Sequence, residues 1–197
     1  MRVAGLILAG GRSLRFGSEK AMAMLEGEPL IARVARALSA CDPVAVSARP
    51  DSGAADWARI GTLALLCDPD DAPDGPLSGL REGLRWARAQ GAELLAVVPC
   101  DTPDLTPEVI ATLIDALSDG VGAALAETPD GLQPLVGVWR CAPALALLEA
   151  MMQGGAHPPV RALLTPLGGV RVHFAATALF ANTNTPADLA STRPATP

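Results

Sequence analysis

Tyrosine is absent from the 197 residues, and aromatic residues of all kinds make up only 3% of the chain. Stacked aromatic platforms, the usual means of holding single-stranded nucleic acid, are hard to build from so few rings. Basic charge is also short: the formal net charge is −6 and the pI about 4.8. That balance disfavours nucleic acid or an anionic membrane as a partner and leaves a local basic site as the only place for a polyanion. Lysine is almost missing. Lys20 is the single one, and every other basic residue is arginine. No apolar run approaches the ~20 residues that a membrane-spanning helix needs. The opening Met1 to Leu8 has the basic-then-apolar look of a secretory leader. It stops at Gly10-Gly11-Arg12 without a small-residue cleavage site, so it reads as a first strand of a cytoplasmic protein. Cys41, Cys67, Cys100 and Cys141 are scattered, with no CxxC pair and no nearby histidine. Zinc is thereby disfavoured, and buried free thiols are the expectation.

What the chain does have is apolar content. Half of its residues are hydrophobic and 18% are charged, ample for a core and unlike a disordered chain. Short apolar runs at 3–9, 44–47, 62–67, 94–98 and 122–126 read as strands, several covered on both faces. Between them, Ile31, Val34 and Leu38 recur at helical spacing, as do Leu77, Leu80 and Leu84, and then Val109, Leu113 and Leu117. Thr106-Pro107-Glu108 is a good helix start. The βαβ rhythm predicts an α/β three-layer sandwich, with a mainly parallel sheet and helices on both faces. Such sheets bind ligands at the carboxyl ends of their strands. Beyond residue 130 the rhythm loosens: a strand at 134–139, a helix at 142–152, a Gly/Pro elbow at 154–159, a short helix and a strand at 170–174. One domain spanning 1–190 is expected, followed by a polar, frayed tail at 191–197.

Four segments at predicted strand ends carry chemistry. In Leu8-Ala9-Gly10-Gly11-Arg12-Ser13-Leu14-Arg15-Phe16-Gly17-Ser18-Glu19-Lys20, a strand runs into a glycine pair, two arginines and the lone lysine. Glycines let backbone N–H groups approach phosphate oxygens, and the cations neutralise a polyphosphate. The segment matches neither GxxxxGK[ST] nor GxGxxG, so a P-loop and a dinucleotide fingerprint are both excluded. In Val97-Val98-Pro99-Cys100-Asp101-Thr102-Pro103, an apolar strand ends at a carboxylate held between prolines. Asp101 is placed to hold Mg²⁺ against a triphosphate or, more plainly, to cap a turn. In Cys67-Asp68-Pro69 and the acidic stretch after it, Asp68 follows a strand and could accept from nucleoside donors. In Asn182-Thr183-Asn184-Thr185-Pro186, both asparagines are plausible ligands, while Thr185 suits a helix cap. His157 and His173 read as surface or packing residues.

Together the pieces LAGGRSLRFGSEKAMAMLEGEPLI (8–31), CDPDDAPDGPLSGL (67–80), VVPCDTPDL (97–105), DGLQPLVGV (130–138) and FANTNTPADLA (180–190) resemble the nucleotidyltransferases. The likeness is greatest to the molybdenum cofactor guanylyltransferases, whose order they follow across nearly the whole chain. The resemblance implies a Rossmann-like sandwich and Mg²⁺-dependent transfer of GMP from GTP to molybdopterin cofactor. Leu8, Ala9 and Gly10 would hold the nucleotide by backbone, with Gly11 continuing the loop. Lys20 would contact the phosphates, Asp68 would serve the guanosine and Asp101 would ligate Mg²⁺. Arg15 would join Lys20 and Asp101 in stabilising the reacting phosphates, and Asn182 and Asn184 would lie near the pterin or the metal. Ser47 stands where the family has Asn, and Phe16 where it usually has Met. Ser47 leaves open the same chemistry with CTP, on the pterin or on a sugar phosphate. A non-catalytic carrier of nucleotide or cofactor is the reading of another class. Proteins that mature molybdoenzymes are the partners implied.

Overall fold

A computed structural model of the chain describes residues 1–10, 19–67, 75–183 and 188. In chain order the strands and helices are β1 (Val3–Leu8), β2 (Met24–Leu25), β3 (Glu28–Pro29), α1 (Leu30–Ala37), β4 (Val44–Ser47), α2 (Gly53–Ile60), β5 (Ala64–Leu66), α3 (Pro76–Ala89), β6 (Leu94–Pro99), α4 (Pro107–Asp115), β7 (Ala123–Thr128), β8 (Gly131–Arg140), α5 (Cys141–Met151) and β9 (Val170–His173). Seven strands form one sheet in the order β5-β4-β1-β6-β8-β7-β9, while β2 and β3 pair as a small separate hairpin. Every pairing in the large sheet is parallel except those of β8, which runs antiparallel to both β6 and β7. The mainly parallel α/β expectation holds.

Strands at the centre are apolar on both faces because both faces are covered. All six residues of β6 are buried, as suits a strand flanked by helical layers. Ile31, Val34, Ile110 and Leu113 pack on one side of the sheet with Ile7 and Val98. Leu77, Leu80, Leu84, Leu145 and Leu148 pack on the other with Leu6 and Trp139. Helices α1, α2 and α4 therefore cover one face, and α3 and α5 the other. The elbow expected at 154–159 packs back on the body: a Cβ at Gly75, where φ is +140°, would sit 2.5 Å from His157 Nε2. The short helix after the elbow is a pair of 3-10 turns, Val160–Leu163 and Thr165–Leu167.

Register lines the strand ends into one edge. Leu8 is level with Ser47 on one side and Pro99 on the other, and Ser47 with Leu66. The residues just past β1, β4, β5 and β6 therefore emerge together. Val97, Gly137 and Leu125 are also level, so Thr128, three residues beyond Leu125, reaches about the height of Cys100. The β7–β8 hairpin joins the same edge.

Candidate active site

Lys20 and Asp101 meet at this edge, with Lys20 Nζ donating to Asp101 Oδ2 at 2.8 Å. Their side chains are 13% and 25% exposed, sheltered yet reachable. Asp101 follows β6 directly and is braced from several directions. Cys100 N donates to Leu8 O at 3.0 Å, and Thr183 N donates to Asp101 O at 2.8 Å. Thr102 Oγ1 donates to Pro99 O at 3.2 Å, and Arg33 from α1 donates to Asp104 Oδ1 at 3.3 Å. The segment that carries Asp101 is thus held on several sides.

Lys20 is set by a residue that sequence reasoning missed. Glu19 reaches across to the first turn of α2, where Gly53 N and Ala54 N donate to its two carboxylate oxygens at 2.6 and 2.8 Å. Both are backbone donors with no partner inside the helix, and a carboxylate there also meets the positive end of the helix dipole. Ser52 accepts from Ala55 N at 3.2 Å and serves the next donor. Gly53 is required sterically, because a Cβ would lie 2.8 Å from Met22 Cγ and 3.1 Å from Glu19 Oε2. The 3-10 turn Lys20–Met22 is therefore pinned to α2 at its entry. The only sequence signal was an acid just before the lone lysine, and its partner lies 34 residues away.

Other expected residues fall as follows. Two backbone groups of the first loop are already used within the sheet: Leu8 O accepts from Cys100 N, and Ala9 N donates to Ser47 O at 2.8 Å. Gly10 is exposed. Ser47 is 3% exposed and lies under α3, where a Cβ on Gly79 would stand 2.7 Å from its Oγ. Asn182 is exposed beside Thr183, so the tie from Thr183 to Asp101 brings it to the same edge. Gly11, Arg15, Asp68 and Asn184 lie outside the described residues. Burial pushes the Cys100 thiol up to about 12, with the Asp101 carboxylate adding to the effect, so it is a packed thiol and no nucleophile. The expectation of buried thiols fails at Cys67, which is exposed because β5 has ended at Leu66.

Among the described residues no three His, Cys, Asp or Glu side chains cluster as a metal cage. One carboxylate at a strand end still fits Mg²⁺, which keeps its waters and is commonly held by one or two carboxylates together with substrate phosphates. The arrangement offers a cation, a hard oxygen donor and an open sheet edge, which is chemistry for a polyphosphate.

The model of the MobA-like NTP transferase domain matches residues 5–170. The chain belongs to this family. It is 38% identical over 192 residues to a molybdenum cofactor guanylyltransferase of Cereibacter sphaeroides, covering 96% of this chain and 95% of the relative. A molybdenum cofactor guanylyltransferase of Burkholderia ambifaria is 35% identical over 200 residues, covering 96% and 94%. The structure of molybdopterin-guanine dinucleotide biosynthesis protein A from Archaeoglobus fulgidus superposes with a TM-score of 0.72 at 25% identity, covering 97% of this chain and 96% of that one.

Proposed function

We propose that this MobA-like protein is a molybdenum cofactor guanylyltransferase, moving GMP from GTP to molybdopterin and releasing pyrophosphate. The observation that carries the reading is the 2.8 Å Lys20–Asp101 pair at the sheet edge, in a chain so similar along its length to proteins of that name. We place the protein in the cytoplasm, passing its product to proteins that mature molybdoenzymes.

In this reading a terminal phosphate oxygen of the acceptor attacks the α-phosphorus of GTP in line. A new P–O bond forms, the bond from the α-phosphorus to the bridging oxygen breaks, and the electron pair leaves with pyrophosphate. Lys20 Nζ supplies a fixed positive charge to the phosphates, together with Arg15 from the first loop. Asp101 would hold Mg²⁺, which would neutralise charge on the triphosphate when bound. We assign the nucleotide's cradle to the remaining backbone groups of 9–11, Leu8 O and Ala9 N being bonded within the sheet, and the nucleoside side to Asp68 and Ser47. Positioning and electrostatics suffice, and no covalent enzyme intermediate is needed.

Lys20→Ala tests the machinery. It is expected to lower kcat for pyrophosphate release by roughly 10²–10³-fold, as loss of a preorganised charge-stabilising group does, with an unchanged thermal midpoint. Near-normal turnover would remove Lys20 from the mechanism.

A further inference from the structure

Two roles of the site compete in one contact. Lys20 Nζ donates to Asp101 Oδ2 at 2.8 Å, so the group assigned to the phosphates is bonded to the group assigned to the metal. The two residues are 81 apart in the chain, and both backbones are tied elsewhere. Glu19 secures the Lys20–Met22 turn to Gly53 and Ala54 of α2, and Ala23 N donates to Lys20 O at 3.0 Å. Ala21, inside the same turn, is buried. On the other side Thr183 N donates to Asp101 O. What is left to move is the lysine's four-carbon stem, which carries a compact charge with three donors.

The acids nearest to the pair along the chain are engaged elsewhere. Asp104 accepts from Arg33 Nη2 at 3.3 Å, and Arg33 Nη1 also donates to Glu26 at 2.9 Å. Both carboxylate oxygens of Glu19 accept from the start of α2. Among the described residues, then, a divalent cation on the protein alone depends on Asp101. A carboxylate bonded to an ammonium is a poor seat for it. The ammonium occupies one oxygen, and its charge repels a dication approaching the other. The two side chains are largely sheltered, so solvent and salt screen that repulsion less than on an open surface. Mg²⁺, moreover, gives up its waters reluctantly and is commonly held by one or two carboxylates together with substrate phosphates.

We propose that Lys20 guards Asp101 against divalent cations until a triphosphate draws the lysine away, so that cation and nucleotide enter together. This rests on the nucleotidyl-transfer reading above and adds the order in which its two ligands bind. A triphosphate offers the ammonium more negative charge than one carboxylate does. Lys20 Nζ leaves Asp101 Oδ2 for phosphate oxygens, swinging on its stem while the turn stays on α2. Asp101 is then an uncompensated anion beside the phosphates, where a dication is favoured. The coupling is reciprocal: nucleotide raises the affinity for the cation, and the cation raises the affinity for nucleotide by the same factor. The lone lysine serves both states, first on the carboxylate and then on the phosphates, and an acidic protein is kept from loading metal at rest.

The test is Mn²⁺ binding in the absence of nucleotide, read from the electron paramagnetic resonance signal of the free ion. Wild type is compared with Lys20→Met, Lys20→Gln, Lys20→Arg and the double variant Lys20→Met/Asp101→Asn. Both neutral variants are expected to bind Mn²⁺ more tightly than wild type by roughly tenfold or more, the scale on which a neighbouring charge shifts a carboxylate's affinity for a proton. Lys20→Arg, which keeps a cation against Asp101, is expected to bind as weakly as wild type, and the double variant to lose the gain. Neutral variants within about twofold of wild type overturn the proposal, and so does a gain that survives Asp101→Asn. The transferase reading fails separately: no pyrophosphate release from wild type, with the Lys20-dependent gain in Mn²⁺ binding intact, removes the reaction and keeps the guard.

Discussion

Three thiols give the protein an alkaline weakness. Burial pushes Cys41 and Cys141 up to about 11, and Cys100, helped by the Asp101 charge, up to about 12, from an ordinary value of 9.0. Above pH 9 an unfolded chain releases these protons and the folded one keeps them. Folding stability therefore falls as pH rises from 9 toward 11, by up to about 1.4 kcal/mol per pH unit for each thiol. With no tyrosine and a single lysine, few other side chains titrate in that window. Urea midpoints measured at pH 8, 9 and 10 are expected to decline only above 9, and Cys141→Ala is expected to flatten the decline. Constant midpoints would contradict the burial argument. Scattered cysteines announced free thiols in the sequence, but not that Cys67 is the exposed one, because exposure depends on where β5 stops.

The tie between the Lys20–Met22 turn and α2 links two elements that share no sequence pattern. Glu19→Gln keeps the shape but removes the charge and one acceptor, leaving one of the two backbone donors at Gly53 and Ala54 unmatched. Loss of a helix cap costs about 0.5–2 kcal/mol, and each kilocalorie lowers the melting temperature by roughly 2–4 °C in a protein of this size. Turnover is expected to fall further than stability, by roughly tenfold, because Lys20 loses its seat. In a Lys20→Ala background the same change is expected to leave kcat unaltered, since residues acting as a unit are not additive. Equal kcat effects with and without Lys20 would make the clamp merely structural. Element boundaries were mostly legible: 44–47 was read as it stands, and β6 differs only at its last residue. The ends of β8 were not, because its bulge is set by partner strands. Ser47 could be aligned with a family asparagine, but its burial beneath Gly79 comes from helix packing that no local pattern reports.

At the scale of the whole molecule, the six registers of the seven-stranded sheet bring segments that are distant in sequence to one edge. An acidic protein concentrates its lone lysine there beside a carboxylate, and both residues stood out in the sequence because they sit in short runs beyond strand ends. The reach of Glu19 to the start of α2 did not, since it depends on contacts made only after folding. The decisive measurement is pyrophosphate release with Mg²⁺ and molybdopterin, comparing GTP with CTP. The account predicts release with GTP and formation of the guanine dinucleotide, with CTP inactive. Release with CTP alone would preserve the mechanism and overturn the guanine assignment at Ser47. No release with either nucleotide, despite GTP binding, would contradict the transferase account and favour a carrier.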